Sequence, residues 1–193
     1  MEIKPKSSLR IKADRPKKYR CKNLFVVLEN PNTIENVAST LRNIDALGAE
    51  KLYVIDGYNL LPGKWPELRE RNSLKKISAS ASKWVYTKTF KNTTECLSHL
   101  NKNKFNSIVT SPHIKGKNNI ILENGKYTDK RLAIWFGNET NGVSEEAVNN
   151  SRLCIQIPMG GIIESLNLGT STGIVLYEII KQRRNYKNAK QTI

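Results

Sequence analysis

The stretch IPMGGIIESLNLGTSTGIVLYE, residues 157–178, combines a turn and a helix, and its first half is unusual for a core element. Its second half is apolar and ends in charge, as expected of a last helix packed on a core. Gly160 and Gly161 form a flexible turn before it, and Ser165 and Asn167 follow. We expect the helix to start at Ser165, which caps it, with Asn167 in the first turn. The stretch therefore predicts a polar edge on a core helix.

Two glycines in the same helix indicate a close approach of its backbone to another group. Gly169 and Gly173 are one turn apart, and each costs about 1 kcal/mol relative to alanine in a helix interior. Tight helix–sheet or helix–helix packing is one explanation for the two glycines. A ligand, a crowded backbone crossing and a dimer partner are the alternatives.

Along the rest of the chain, apolar runs alternate with helical patterns. The runs predict strands at residues 23–30, 51–55, 83–90, 105–110, 131–136 and 153–157. The helices are expected at 33–48, 93–102 and 144–150, with a turn-rich crossover at 56–73 and a polar loop at 111–128. Continuously apolar strands alternating with helices predict an α/β fold, with a mostly parallel sheet covered by helices on both faces.

Two of the helices carry end signals. Asn32 and Glu35 predict a capped start for the first helix and Gly48 predicts its end, while Asn92 predicts the cap of the helix at 93–102.

The charge of the chain is concentrated at its two ends. The net charge is +15, of which residues 1–23 contribute +7 and residues 181–193 contribute +5. We divide the chain into a basic N-terminal arm at 1–22, a domain at 23–182 and a basic C-terminal tail at 183–193. A near-neutral body with basic ends favours a polyanionic partner such as nucleic acid, although solubilising tails have the same composition.

Other functional classes lack their signatures. The cysteines at 21, 96 and 154 form no CxxC pair, and with two histidines in 193 residues we expect no metal site and no disulfide framework. We expect no membrane partner, because no apolar run approaches the roughly 18 residues of a membrane span. The chain also lacks a signal-peptide pattern, so we expect a reducing, cytoplasmic location. Neither a dinucleotide-binding GxGxxG nor a P-loop is present.

Four predicted strand ends carry residues suited to a ligand, since ligands bind beyond the carboxyl ends of parallel strands. The candidates are Asn36 with Arg42 after the first strand, Thr110 with Ser111, Gly137 with Glu139 and Gly142, and the polar edge at Ser165 and Asn167. Each has a plain alternative: Arg42 as a solvated surface residue, the others as turn and capping residues.

In this order, three of these segments resemble the three motifs of the SpoU/TrmH family of RNA ribose methyltransferases, of the SPOUT class. The segments are NVASTLR (36–42), FGNETNGVS (136–144) and the opening stretch, and the resemblance extends over residues 24–181. It implies S-adenosylmethionine (SAM) as cofactor, a deep C-terminal trefoil knot and a homodimer. It also implies methylation of an RNA ribose 2′-hydroxyl.

The resemblance leaves the RNA open. We expect tRNA, with a guanosine of the D-loop as the first candidate and the wobble nucleotide or rRNA as alternatives. A non-catalytic RNA-binding module on the same fold is the alternative outside the enzymes.

Site residues follow from the motifs position by position. The implied cofactor-binding residues are Thr110, Gly137, Ile157, Met159 and Leu166. The implied catalytic and RNA-binding residues are Arg42, Asn36, Glu139, Ser165 and Asn167. The family assigns the arginine as the base, but a guanidinium stays charged, so we favour a role in binding phosphate and stabilising the alkoxide. We expect Glu139 to hold Arg42 or Asn36, and Ser165 and Asn167 to face Arg42.

Overall fold

The computed structural model describes residue 8, residues 19–65 and residues 67–191, so most of the predicted basic arm lies outside the described residues. The strands are β1 (Cys21–Glu29), β2 (Ala49–Ile55), β3 (Tyr86–Phe90), β4 (Asn106–Thr110), β5 (Asn119–Ile121), β6 (Leu132–Phe136) and β7 (Cys154–Gln156). The helices are α1 (Ile34–Leu47), α2 (Glu67–Glu70), α3 (Asn72–Ile77), α4 (Thr93–Lys102), α5 (Glu145–Asn149) and α6 (Leu168–Gln191).

The seven strands form one parallel sheet in the order β3-β2-β1-β6-β4-β7-β5. Alternate residues of β1 lie on opposite faces. Leu24, Val26 and Leu28 join a core cluster with α1 and α6. Phe25 and Val27 join a second cluster with α4 and α5. The predicted parallel α/β sheet with helices on both faces is confirmed.

Helix α1 begins one residue later than the capping pattern predicted. Thr33 is its N-cap and accepts a hydrogen bond from the backbone amide of Asn36 at 3.3 Å. Asn32 instead contacts the loop after β6, where its side chain accepts from Asn138 at 2.6 Å. The predicted end is confirmed, because Gly48 closes the helix with φ of 90°, a left-handed conformation that suits glycine.

Two connections contain more structure than the sequence indicated. The turn-rich crossover includes the short helices α2 and α3, and a 3-10 turn at Ala81–Lys83 delays β3 to Tyr86. The polar loop after β4 contains the edge strand β5, which pairs with β7 over three residues. These elements are too short to show a period in sequence. The predicted cap of α4 is confirmed, because Asn92 accepts from the amide of Glu95.

The last helix starts at Leu168, which corrects the expectation that Ser165 caps it. Asn167 takes that role, since its Oδ1 accepts a hydrogen bond from the backbone amide of Gly169 at 2.8 Å. A Cβ on Gly169 would lie 2.7 Å from the Cβ of Ser39 on α1. The tight packing of the glycine pair is therefore helix–helix packing between α1 and α6.

Candidate active site

A cavity of about 500 Å³ opens where β4, β6 and β7 end, a size typical of small-molecule sites. Its lining includes all five residues expected to bind the cofactor, namely Thr110, Gly137, Ile157, Met159 and Leu166. It also includes Glu139, Ser165 and Asn167. The end of β4 and the second and third motifs thus meet at one edge of the sheet.

The cavity wall combines apolar side chains with unpaired backbone. Phe136, Ile155 and Leu168 supply buried apolar surface. Residues 159–166 lie outside helices and strands, and their amides donate no hydrogen bond within the described part of the chain. Unpaired amides beside apolar surface suit a flat heterocycle with ring nitrogens. The hydroxyl of Thr110 is not free, because it donates to the carbonyl of Trp135 at 3.0 Å.

Gly137 is required by its own turn. A Cβ at this position would lie 2.0 Å from the backbone carbon of Gly142. The next residue, Asn138, forms two backbone hydrogen bonds with Gly142, of 3.0 and 2.7 Å, that close the turn. Gly142 has φ of 68°, a left-handed conformation that suits glycine. The absence of a side chain at Gly137 therefore allows this close approach of two backbone segments.

Three of the five expected catalytic residues form one hydrogen-bonded chain. Asn36 donates through Nδ2 to Oε1 of Glu139. Its Oδ1 accepts from Nδ2 of Asn167 at 3.0 Å. The other oxygen of Glu139 accepts from the backbone amide of Asn32 at 2.9 Å. Of the two partners expected for Glu139, Arg42 and Asn36, the structure shows Asn36.

Asn138 positions this chain of hydrogen bonds, a role that was not predicted from the sequence. It is 6% exposed, and its Nδ2 donates to the carbonyl of Asn30 at 2.7 Å and to Oδ1 of Asn32 at 2.6 Å. Its Oδ1 accepts from the amides of Thr140 and Asn141. The signal was present, because asparagines follow both β1 and β6, which are neighbouring parallel strands.

Arg42 lies apart from the other candidates. It is exposed, it does not line the cavity, and it forms no hydrogen bond or ion pair within the described residues. Six positions along α1 rotate it about 120° away from Asn36, which faces the cavity edge. Ser165 lines the cavity without a hydrogen bond to Arg42. The expected arrangement in which Ser165 and Asn167 face Arg42 is therefore not observed among the described residues of this chain.

A second carboxylate, absent from the sequence predictions, is buried near the same sheet edge. Glu29 is 2% exposed and accepts hydrogen bonds from the amide and hydroxyl of Ser144, at 2.8 and 2.7 Å. The hydroxyl of Thr93 also donates to it. Glu29 thereby attaches the starts of α4 and α5 to the end of β1.

The three cysteines lie in the interior of the protein. Cys21, Cys96 and Cys154 are free and buried, and burial raises the pKa of Cys96 and Cys154, which keeps these thiols protonated. The described part of the chain contains no group of three or more His, Cys, Asp or Glu placed to hold a metal ion. None of its helices has the length and apolarity needed to cross a membrane.

Comparison with known proteins gives consistent results. A family model described as the SpoU rRNA Methylase family matches residues 23–177. The curated "tRNA (guanosine(18)-2′-O)-methyltransferase" of Aquifex aeolicus is 32% identical over 164 residues, 85% of this chain and 72% of the relative. The protein of that name from Escherichia coli K12 is 28% identical over 84% of this chain, and the matched region spans 65% of the relative.

A solved structure has the same architecture. The crystal structure of the Aquifex aeolicus TrmH/SpoU tRNA modifying enzyme superimposes with a TM-score of 0.76 at 28% identity, covering 94% of this chain and 87% of that chain. The family model covers most of the chain, and the fold and motif positions agree with it. The chain therefore belongs to the SpoU rRNA methylase family.

Proposed function

We propose that this protein is a SAM-dependent RNA ribose 2′-O-methyltransferase that acts on tRNA. The observation that carries the proposal is the cavity at the ends of β4, β6 and β7, beside which Asn36, Glu139 and Asn167 form one hydrogen-bonded chain. The relatives are named as methyltransferases of one tRNA guanosine. We therefore take that guanosine, a D-loop position, as the first candidate target.

The cavity residues fit the cofactor chemically. Adenine needs an apolar slot with backbone donors and acceptors at its edge. Ile157 and Leu166 line such a slot, and the amides of residues 159–166 have no other partner among the described residues. Met159 and Gly137 complete the wall. When bound, SAM supplies an activated methyl group on a sulfonium.

The chain's own polar residues then orient the ribose. Asn167 is fixed by two contacts, to Asn36 and to the start of α6, so its position depends on both. The hydroxyl of Ser165 lies at the cavity wall without a hydrogen bond to any described residue, and it is suited to a hydrogen bond with the ribose. Fixed polar groups of this kind lower the barrier by holding the reacting atoms in line.

Arg42 is assigned to the RNA. An exposed guanidinium without a partner among the described residues is available for bidentate binding of the phosphate next to the target ribose. Because it stays charged, it can also stabilise the developing alkoxide. Its separation from the cavity of the same protomer is consistent with a site completed by a second copy, so the proposal includes a homodimer.

The proposal also includes the trefoil knot and a cytoplasmic location. β7 lies between β4 and β5, which are joined by residues 111–118. A strand inserted between two strands that an earlier connection links supports a threaded chain, a rare arrangement. Exposed apolar side chains on the last loop and helix support the dimer: Ile162 is fully exposed, and Tyr177 is 62% exposed. A stable monomer in light scattering would refute the dimer.

Radiolabelled methyl transfer to bulk tRNA and rRNA tests the reaction. The wild-type protein should label tRNA, and Arg42→Ala should abolish labelling while Arg42→Lys retains part of it. Equal activity of the Ala variant and wild type would remove Arg42 from the mechanism. Mapping the labelled nucleotide separates the D-loop guanosine from the wobble nucleotide and from rRNA. No labelling of any RNA, together with no binding of S-adenosylhomocysteine, would favour a non-catalytic RNA-binding module.

A further inference from the structure

Lys115 is a cation in the cavity wall that none of the three motifs includes. It lies in the connection between β4 and β5 and is half-buried. Its ammonium donates to the carbonyl of Val143 at 3.1 Å, and its backbone amide donates to Oδ1 of Asn119 at 2.8 Å. Both ends of the residue are therefore held, and the ammonium is fixed beside the turn that closes β6.

No carboxylate of the described residues pairs with this ammonium. A lysine has three donors, and the Val143 carbonyl uses one of them. Partial burial of a cation is unfavourable unless an anion or further hydrogen bonds compensate it. Two donors on a fixed ammonium, facing a cavity large enough for a ligand, are therefore available to an anionic group.

The other charged side chains of the cavity wall restrict which ligand group can lie beside Lys115. Both oxygens of Glu139 already accept hydrogen bonds. Glu164 also lines the cavity and has no partner within the described part of the chain. A ligand carboxylate is repelled by these two acids and attracted to Lys115, while a ligand ammonium prefers Glu164. A zwitterionic amino-acid group matches this distribution of charge.

We propose that Lys115 binds the α-carboxylate of the cofactor's methionine moiety and thereby selects SAM over adenosines that lack the amino acid. This inference rests on the proposed function, because it concerns the same cavity. Lys115 acts in binding, and the transferred methyl group needs no contact with it. The consequence is a ligand preference that depends on one side chain.

Calorimetry with two ligands tests the inference on the full chain. S-adenosylhomocysteine carries the amino-acid group, and 5′-methylthioadenosine shares the adenosine and thioether but lacks it. Lys115→Met should weaken S-adenosylhomocysteine binding about tenfold, the effect of losing one charge-assisted hydrogen bond. It should leave 5′-methylthioadenosine binding unchanged. Lys115→Arg should retain most of the affinity for S-adenosylhomocysteine.

Lys117→Met is the matched control. Lys117 is exposed and does not line this cavity, so its replacement should change neither affinity. An equal loss for both ligands in Lys115→Met would mean that Lys115 shapes the wall, and no loss for either would mean that it faces solvent or RNA; each result overturns the inference while leaving the enzyme proposal intact. Absence of S-adenosylhomocysteine binding in the wild-type protein would overturn the proposed function itself.

Discussion

At the scale of single residues, Asn36 connects two motifs without lining the cavity. Asn36→Ala removes the acceptor of Asn167 and the donor to Glu139 together. We expect methyl transfer to fall by about ten- to a hundredfold, the cost of a misplaced reacting group. The affinity for S-adenosylhomocysteine should not change, because the cavity wall is intact. Steady-state kinetics and calorimetry on the same preparations measure the two effects.

Glu35→Ala is the control for this prediction, because Glu35 is exposed on the same helix and takes no part in the site. It should have wild-type activity. A loss of S-adenosylhomocysteine affinity in Asn36→Ala equal to the loss of activity would show that the asparagine shapes the cavity rather than positioning Asn167.

His99 gives a second residue-scale prediction, on pH. Burial first, and then the charges of Lys88 and Lys51, lower the pKa of His99. The unfolded chain therefore takes up the proton before the folded protein does as the pH falls below the ordinary histidine pKa of about 6.5. Stability contributed by neutral His99 is present above that pH and is lost as the pH falls toward the lowered pKa.

Urea unfolding at a series of pH values from about 7 to 5 measures this loss. The free energy of unfolding of His99→Gln should fall less steeply with decreasing pH than that of wild type. His113→Gln, which replaces an exposed histidine, should retain the wild-type slope. Parallel curves for wild type and His99→Gln would exclude the histidine as a source of the pH dependence.

The site was predictable from the sequence where residue type and strand order were sufficient. Glu139, Asn36 and Asn167 meet because parallel strands bring their carboxyl ends to one edge of the sheet. The exposure of Arg42 was harder to predict from the sequence, since it depends on the rotation of α1 about its axis and on which neighbours cover the side chain. Lys115 carried no signal, because a lysine in a polar loop is usually solvated.

At the scale of elements, the contact of α1 with α6 is set by two glycines with different surroundings. A Cβ on Gly169 would lie 2.7 Å from Cβ of Ser39, whereas a Cβ on Gly173 would lie 3.4 Å from Nδ2 of Asn43. Asn43 also donates to the carbonyl of Gly169 at 2.7 Å. The helices therefore touch most closely at Gly169.

Alanine substitutions at the two positions should have opposite effects. Gly169→Ala forces α1 and α6 apart and should lower the free energy of unfolding by about 1–3 kcal/mol, as overpacking does. Gly173→Ala should be neutral or stabilising by up to about 1 kcal/mol, because it gains helix propensity. Denaturant unfolding measures both. If Ser39→Gly does not restore part of the stability lost in Gly169→Ala, the clash with Ser39 is not the cause.

Element boundaries followed from the sequence only where one residue dominated the local conformation. Gly48 fixed the end of α1 through its left-handed backbone. The start of α6 was mispredicted because Ser165 and Asn167 are both good caps, and only the contact of Asn167 with Asn36 favours the later start. Strand β5 exists because β7 offers it an edge, a tertiary effect that local sequence does not contain.

At the scale of the whole molecule, the last helix is joined to the start of the first strand. Arg183 in α6 is buried and donates to Sγ of Cys21 at 2.8 Å and to the carbonyls of Tyr127 and Asp129. Its exposed neighbour Arg184 donates to the carbonyl of Leu47 at 2.9 Å. The charge count of the C-terminal segment therefore includes one buried arginine that joins the last helix to the first strand and one exposed arginine at the surface.

Substitution of these adjacent arginines should separate stability from RNA binding. Arg183→Ala leaves buried acceptors unpaired and should lower the free energy of unfolding by about 2–3 kcal/mol, with no change in how RNA affinity depends on salt. Arg184→Ala should alter stability by less than about 0.5 kcal/mol. It should reduce the slope of log affinity against log salt by up to about one unit, because one phosphate contact is lost. Urea unfolding and tRNA titrations at several salt concentrations measure the two quantities. An unchanged salt slope in Arg184→Ala would mean that RNA does not contact this arginine of α6.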